Sequence, residues 1–372
     1  MQVPQVSPWL GAAERDAAAA TVDAAWITEG PRSAEFVDRL LALTGSPYGV
    51  LAPNGTLALF LAMLALEIGP GDEVIVPDIT FMGSATAVAL AGATPVFAEV
   101  NPRNYQIDLE DCGRVLSPKT RAIMPVHLFG MCTDMHAVMA FAQENGLKVV
   151  EDAAQAVGVT YKGRHAGTFG EIGCFSFFAD KTITTGEGGF VVCRDESIYE
   201  KLRLIRNQGR LDRGSFIHPA VGYNFRMTDL QSAIGVVQLA KLPEIESRKR
   251  TILSWYHEEL DGEPAVRFLD QEEGSDFTPF RAVIFGARGP ELMAHLAANE
   301  IQPRTFFYPL HKQPCFAFLS TENGGDYDLD DKHYPNSIQG YEDGVVLPIF
   351  PTLTREQVAH VGATVRDFYA RG

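Results

Sequence analysis

The sequence predicts an α/β protein with a large domain built on a mixed, mostly parallel sheet and a smaller C-terminal α+β domain. Short apolar runs typical of buried strands alternate with helix-forming stretches between residues 50 and 240. This alternation changes near Pro243, and after about residue 262 the segments become shorter and more mixed. A chain of 372 residues is also longer than one hydrophobic core usually serves. We therefore expect a large domain over residues 1–245 and a small one over residues 246–372.

Local composition predicts the elements in turn. Apolar runs indicate buried strands at residues 72–77, 93–100, 122–126 and 147–151. Helix-forming stretches lie between them at residues 82–91 and 135–145, and Gly146 suits the end of the second. Further helices are predicted at residues 228–242, 244–260 and 354–369, whereas Gly274 and residues 321–331 indicate surface loops.

Charge and composition exclude several classes of protein. The formal net charge of −16 gives the chain no overall attraction for nucleic acid or an anionic membrane. No run of about eighteen apolar residues is present, and residues 1–26 lack the apolar core of a signal peptide. The five cysteines are odd in number and lack metal-ligand spacing, which indicates reduced thiols and no metal site. We expect a cytoplasmic protein.

Lys181 is the residue that points to a chemistry. Aromatic residues precede it in Phe175-Ser176-Phe177-Phe178, and a glycine-rich loop follows at residues 186–189. An amine in such surroundings is partly desolvated, which lowers its pKa and leaves a fraction as free base. A lysine of this kind can form a Schiff base with a carbonyl cofactor. Most lysines are solvated surface charges, so Lys181 alone does not decide the chemistry.

Two other segments could hold parts of a cofactor. Asn54-Gly55-Thr56 precedes a strongly helix-forming run, and the free N–H groups of a first helical turn can bind a phosphate. Asp152 ends a predicted parallel strand, where a carboxylate can pair with a protonated pyridine nitrogen. Ordinary helix capping would explain either segment by itself.

Three further features complete the pattern. Ser176 lies five residues before Lys181 and could donate to the same phosphate. Phe81 follows a predicted strand and could stack on a flat ring, although core packing is the commoner role of Phe. Residues 222–229 place amide, guanidinium and hydroxyl groups before a helix. Taken together and in this order, these parts compose a pyridoxal phosphate site.

The sequence closely resembles the sugar aminotransferases of the DegT/DnrJ/EryC1/StrS family, within fold type I (aspartate aminotransferase-like) of the pyridoxal phosphate enzymes. The resemblance runs over residues 26–349. Six segments carry it: residues 54–56, 92–97, 151–156, 175–181, 185–189 and 222–229.

The resemblance implies a role for each matching residue. Lys181 would bind the cofactor covalently and move the proton, and Asp152 would pair with the pyridine nitrogen. The remaining cofactor contacts would be Gln155 at the phenolic oxygen, Phe81 on the ring face, Gly55, Thr56 and Ser176 at the phosphate, and Asn224 at the phosphate of the neighbouring subunit. The protein would then be a homodimer with shared active sites.

The resemblance also indicates substrates. Residues 306–314 look most like members that aminate C4 of a nucleotide-linked 4-keto-6-deoxyhexose, the perosamine synthases, with L-glutamate as donor. Glu187, Tyr308 and His311 are the expected substrate contacts. Many relatives carry Thr-Arg-Pro before the aromatic residues, whereas this chain has Gln302-Pro303-Arg304-Thr305, so the place of Arg304 is left open.

Three alternatives remain at this point. The enzyme could aminate C3 of a keto sugar, or it could be a pyridoxamine-dependent dehydratase, although those relatives carry a histidine where this chain has Lys181. It could also be a cofactor-binding regulator without turnover. The sequence does not distinguish GDP, dTDP and UDP as the nucleotide.

Overall fold

The computed structural model describes residues 1–210, 214 and 216–371, and the account of the fold refers to these residues. Its strands are, in chain order, β1 Tyr48–Ala52, β2 Glu73–Pro77, β3 Thr94–Ala98, β4 Thr120–Ile123, β5 Lys148–Asp152, β6 Thr160–Tyr161, β7 Arg164–His165, β8 Ile172–Ser176, β9 Gly189–Cys193, β10 Arg267–Phe268, β11 Ser275–Asp276, β12 Ala282–Phe285, β13 Arg304–Thr305 and β14 Gly344–Leu347.

The helices lie mainly between these strands. They are α1 Ala12–Asp23, α2 Pro31–Thr44, α3 Gly55–Ala65, α4 Gly83–Leu90, α5 Leu109–Val115, α6 Met135–Asn145, α7 Glu196–Arg206, α8 Asp229–Ala240, α9 Leu242–Glu259, α10 Gly289–Ala298, α11 Pro335–Asp343 and α12 Arg355–Ala370. Short 3-10 turns occur at Leu128–Gly130, Leu310–Lys312, Pro314–Leu319, Thr321–Asn323 and Asp331–His333. No described helix is both long enough and apolar enough to cross a membrane.

In the described part of the chain, seven strands form the large sheet, in the order β1-β9-β8-β5-β4-β2-β3. Neighbours from β8 to β3 pair in parallel, whereas β9 runs antiparallel to both β8 and β1. The sheet is therefore mixed and mostly parallel, as predicted. Its strands are almost continuously apolar and buried because helices cover both faces.

The parallel strands bring their carboxyl ends to one edge of this sheet. The segments that follow β1 and β2 lead to Gly55 and Phe81 at this edge, and Asp152 and Ser176 are the last residues of β5 and β8. Open α/β sheets bind ligands at this edge, because the loops there converge on one crevice.

The C-terminal part contains its own sheet. Strands β10, β12, β14 and β13 lie side by side and pair antiparallel. An apolar cluster packs between this sheet and α9, α10 and α12, and Val3 joins it by pairing with Ile301. Within α9, Leu242 and Ile245 pack in a core of the large sheet, whereas Ile252 and Tyr256 pack in this cluster. The division of the chain at residue 245 stays a prediction.

The predicted elements are present with small shifts at their ends. The helix at residues 135–145 has the predicted bounds, with Asp134 at its start and Gly146 in a left-handed conformation at its end. The strand predicted over 93–100 is shorter, because Val100 already pairs with Ile107 outside the sheet. The small sheet of β6, β7 and β11 was not predicted, since strands of two residues carry little periodic signal. Helices α1 and α2 were not predicted either.

Candidate active site

A phosphate-sized cradle lies at the start of α3. Asn54 caps the helix: its Oδ1 accepts from the Leu57 amide at 2.9 Å, and its carbonyl accepts from the Ala58 amide at 3.0 Å. The amides of Gly55 and Thr56 come first in the turn and have no earlier helical carbonyl to bond. A Cβ built on Gly55 would lie 2.8 Å from Ser176 Cβ, so only glycine leaves room here. The cradle thus combines amides with the Ser176 and Thr56 hydroxyls.

Asp152 is fixed at the end of β5 by hydrogen bonds to both carboxylate oxygens. Its Oδ2 accepts from Ser84 Oγ at 2.7 Å, and its Oδ1 accepts from the Ala154 amide at 3.1 Å. The Thr80 hydroxyl lies 3.1 Å from Ser84 Oγ. Because Ser84 donates its own hydrogen to Asp152, Thr80 is the donor in this second hydrogen bond. Asp152 is 5% exposed, so its carboxylate is an oriented, largely desolvated partner for a cation.

A second buried carboxylate lies behind Asp152. Glu151 accepts bonds from the amides of Gly167, Phe169 and Gly170 at 2.6–2.7 Å, and His127 Nε2 lies 2.9 Å from its Oε2. The backbone amide of His127 also donates to the Asp152 carbonyl at 3.0 Å. These bonds hold the end of β5 rigid.

Lys181 has the environment that its sequence context predicts. Its Nζ lies 4.6 Å from the centroid of the Phe280 ring, and burial lowers the pKa of this amine to about 8. The negative charges of Asp180 and Asp152 oppose this shift. A lysine with this pKa has a usable free-base fraction near neutral pH.

Gln155 and Phe81 follow β5 and β2 at the same edge of the large sheet. Gln155 Oε1 accepts from the Phe129 amide at 2.8 Å, which leaves the Gln155 Nε2 group as a donor. Phe129 makes this bond from a left-handed conformation with φ of 60°. The Phe81 ring is 60% exposed, and a Cβ on Gly83 would lie 3.2 Å from it and 2.9 Å from Thr56 Oγ1. The exposed face of Phe81 therefore adjoins the cradle.

These residues fit pyridoxal phosphate. The Gly55 cradle, which a Cβ would fill, matches a phosphate, and the oriented Asp152 carboxylate matches a protonated ring nitrogen. The amine of Lys181 and the amide donor of Gln155 match a carbonyl and a phenolic oxygen. A nucleoside triphosphate would need a different glycine-rich loop.

Comparison with known proteins decides the family. A model of the DegT/DnrJ/EryC1/StrS aminotransferase family matches residues 8–366. The chain belongs to this family. The predicted family and aminotransferase class are therefore confirmed.

Individual relatives agree with this assignment. A GDP-perosamine synthase of Escherichia coli O157:H7 is 36% identical, with 99% of each chain covered. A UDP-N-acetyl-3-dehydro-alpha-D-glucosamine 3-aminotransferase of Acidithiobacillus ferrooxidans is 37% identical over 87% of this chain and 85% of its own. The crystal structure of DesV from S. venezuelae superposes with a TM-score of 0.93 and 32% identity, covering 100% of this chain and 99% of that one. The predicted fold class is confirmed as well.

The other residues predicted for the aminotransferase site are more exposed to solvent than Asp152. Glu187 is exposed at the glycine-rich loop, and its carbonyl accepts from Thr185 Oγ1 and Gln231 Nε2. Tyr308 is partly exposed, with its ring edge-on to Tyr341 at 5.0 Å. Asn224 lies on an exposed loop and its Oδ1 accepts from Arg226 Nε at 3.1 Å. Their roles stay predictions.

His311 is more tightly held than a substrate contact needs to be. Its Nδ1 lies 2.7 Å from Asp78 Oδ2, its Nε2 lies 3.1 Å from Asp331 Oδ1, and its ring stacks on Tyr334 at 4.0 Å. A direct bond to substrate would require one of these contacts to break. Its contact with substrate stays a prediction. The bonds of His311 to Asp78 connect residues 308–334 to the loop that precedes Phe81.

Several residues of the site were not identified from sequence. Ser84 could have been found, because it lies one helical turn after Phe81 and faces the same edge. Phe280 and Arg281 could not, because they precede β12 of the C-terminal sheet and meet Lys181 and Asp180 only in the folded chain.

Replacing Ser84 with alanine tests its bond to Asp152. We expect kcat to fall about tenfold and cofactor to bind more weakly, since a hydrogen bond to a charged group contributes about 1.5–3 kcal/mol. Cofactor absorbance during dialysis and steady-state rates measure both effects. Ser254→Ala, on the exposed face of α9, is the matched control. Unchanged kcat and cofactor retention in Ser84→Ala would show that Asp152 does not need this bond.

Proposed function

We propose that the chain transfers an amino group from L-glutamate to C4 of a nucleotide-linked 4-keto-6-deoxyhexose, with pyridoxal phosphate as its resident cofactor. The observation that carries this proposal is the half-buried amine of Lys181, whose pKa is lowered, in a crevice shared with Asp152. Likeness over 99% of both chains to a GDP-perosamine synthase supports C4 of a 6-deoxyhexose as the acceptor position.

The residues divide the work of holding the cofactor. The cradle of Gly55, Thr56 and Ser176 would bind the phosphate, Phe81 would pack on the ring, and the Gln155 amide would donate to the phenolic oxygen. Asp152 would keep the ring nitrogen protonated through its oriented carboxylate. When bound, pyridoxal phosphate supplies a carbonyl that condenses with amines and a ring that accepts the charge of a carbanion.

Lys181 performs the proton transfers. Once an amino donor had displaced it from the cofactor, its free Nζ would take the proton from the donor's α-carbon and return it to the carbon on the other side of the C–N linkage. Hydrolysis of that linkage by water would release 2-oxoglutarate and leave the amino group on the cofactor. The same Nζ carries out the reverse transfers when the keto sugar receives the amine. General acid–base catalysis of this kind contributes about 10²–10⁴-fold.

Amination at C3 is the second candidate. Likeness of 37% identity to a UDP-N-acetyl-3-dehydro-alpha-D-glucosamine 3-aminotransferase favours it. The difference concerns which carbonyl carbon of the sugar is presented to the amine, and so depends on acceptor contacts such as Tyr308 and Glu187. The chemistry at Lys181 would be the same.

The residue at position 181 argues against the dehydratase. A dehydratase of this family carries a histidine there, which cannot bind a carbonyl cofactor as an amine does. A regulator that binds the cofactor without turnover would use the same lysine, and it is the formal net charge of −16 that argues against a DNA-binding regulator.

We also propose a homodimer that works in the cytoplasm. Phe216, Ile217 and Val221 are 77–91% exposed and lie just before Asn224, an apolar surface that a second subunit would cover. Asn224 would then reach the partner's phosphate cradle. All five cysteines are free thiols, which suits a reducing compartment.

A two-step assay tests the function. L-glutamate should change the absorbance of the cofactor-loaded enzyme and release 2-oxoglutarate in a stoichiometric burst. Adding GDP-, dTDP- and UDP-linked 4-keto and 3-keto sugars singly should restore the absorbance with one of them, and mass spectrometry with NMR of the product identifies the carbon aminated. A 3-amino product would replace the C4 assignment, and cofactor binding without a burst would favour the regulator.

A further inference from the structure

Lys181 is preceded in the chain by a buried acid that two arginines share. The Asp180 side chain is 9% exposed, and its Oδ2 accepts from Arg281 Nη2 and, at 3.0 Å, from Arg304 Nη1. Arg281 precedes β12 and Arg304 begins β13, so both arginines come from the C-terminal sheet. This arrangement also shows where Arg304 lies, which the sequence left open.

The two arginines differ in burial. Arg281 is 8% exposed, and its second terminal nitrogen, Nη1, has no partner among the described residues. Arg304 is 47% exposed, so water screens its charge. A charge acts more strongly where water is excluded, and Arg281 is therefore the main counter-charge of Asp180.

Phe280 brings these groups next to the reactive amine. Lys181 Nζ and Arg281 Cζ lie 4.6 and 4.2 Å from the centroid of the same ring. Lys249 Nζ lies 5.6 Å from that centroid and donates to the Phe280 carbonyl at 3.4 Å. The Lys181 amine thus faces two acids, Asp180 and Asp152, and two buried basic groups, Arg281 and Lys249.

We propose that Arg281 is a positioning residue that pairs with Asp180 to balance the charge beside Lys181, and thereby controls how readily the Lys181 amine gives up its proton. The inference rests on the proposed function in so far as Lys181 must react as a free amine. Asp180 alone would favour the ammonium form of Lys181 and hold it unreactive, whereas Arg281 alone would favour the free amine.

The electrostatics of the cluster agree with this arrangement. Burial lowers the pKa of Lys181, the charges of Asp180 and Asp152 raise it, and the charge of Arg281 lowers it. Burial would raise the pKa of the Asp180 carboxyl, but Arg281 and Lys181 hold it below its ordinary value, so Asp180 is ionised. Burial also lowers the pKa of Lys249 to about 7, so this neighbour is partly neutral at neutral pH.

Replacing either member of the pair should therefore shift the pKa of Lys181, and the two replacements should shift it in opposite directions. Asp180→Asn removes the anion and leaves both arginines, so Lys181 should lose its proton at lower pH. Arg281→Met removes the main counter-charge, so Lys181 should keep its proton to higher pH. Each shift should be about 1–3 pH units, the range expected for a unit charge about 4–10 Å away at an effective dielectric constant near 20. The double variant should return close to wild type, because both opposing charges are gone.

The rate at which the full-length chain, freed of cofactor, captures pyridoxal phosphate measures the free amine directly. Its pH midpoint is followed by absorbance, and borohydride reduction with peptide mass spectrometry verifies that Lys181 is the residue modified. Arg304→Met is the matched control and should shift the midpoint by less than Arg281→Met. Thermal unfolding of every variant shows whether its stability has fallen. A loss of stability alone would leave the pH midpoint of cofactor capture unchanged.

Shifts of the two single variants in the same direction, or an unmoved midpoint in both, would overturn the proposal. If Arg281→Met does not fold, Asp180→Asn tests the proposal alone, because asparagine has nearly the same shape as aspartate. An unchanged or raised pH midpoint in Asp180→Asn would then contradict the proposal. Failure of the proposed function would be seen separately. In that case the variants would show the expected shifts of the pH midpoint, yet the wild-type protein would transfer no amine to any keto sugar.

Discussion

Lys181→Ala abolishes amine transfer: we expect kcat to fall by about 10⁴-fold or more, because the variant loses both the covalent attachment of the cofactor and the group that moves the proton. The phosphate cradle and Asp152 remain intact, so the variant should still bind cofactor without covalent attachment. Formation of 2-oxoglutarate in a single turnover and of amino sugar over many turnovers measures the loss.

The matched control for Lys181 is Lys119→Ala. Lys119 is exposed and lies just before β4, at the amino-terminal edge of the parallel strands and therefore opposite the crevice. It should retain wild-type kcat. A Lys181→Ala protein that sustains catalytic turnover would refute the mechanism, whatever its affinity for cofactor.

Asp152→Asn is expected to lower kcat by about 10²–10³-fold, the range found when one preorganised electrostatic contact is removed from an active site. An amide of the same shape keeps the packing around Ser84 and Ala154 but carries no charge to hold the ring nitrogen protonated. The ring then accepts less of the carbanion charge, so the proton transfers at Lys181 slow down. Pre-steady-state absorbance changes on mixing with L-glutamate measure this step.

Asp195→Asn controls for the general effect of removing a carboxylate. Asp195 caps α7 on the surface, where it accepts from the amides of Ser197 and Ile198, and asparagine caps a helix equally well. Its kcat should be unchanged. If Asp152→Asn transferred amine at the wild-type rate, Asp152 would be a structural cap for the turn that follows β5.

Much of the site could be predicted because its residues belong to short local patterns. Asn54-Gly55-Thr56 combines a capping side chain with a glycine at a helix start, and Asp152 follows an apolar strand. In the structure these patterns form a cradle and an oriented carboxylate at one edge of the sheet, because parallel strands end together. The order of the segments then indicated a single cofactor, and the family comparison agrees with it.

His311 shows where this reasoning ends. The resemblance of residues 306–314 to perosamine synthases suggested a substrate contact, but the bonds of His311 to Asp78 and Asp331 reach residues 233 and 20 positions away in the chain. A ring whose two nitrogens are occupied is indistinguishable in sequence from one that is free. The same holds for Asn224, whose proposed partner lies on another subunit.

The sequence by itself determined the fold class, and it indicated an arrangement of segments that fits a cofactor, with Lys181 as the proposed reactive amine, because strand, helix-start and glycine-loop signals are local. Only the tertiary structure decided what surrounds that amine. Arg281 and Arg304 lie 101 and 124 residues from Asp180, and packing of the C-terminal sheet brings them to the acid beside Lys181. The effect of nearby charges on the pKa of a lysine depends on their distance in space and on the exclusion of water. The residues next to the lysine in the sequence reveal neither.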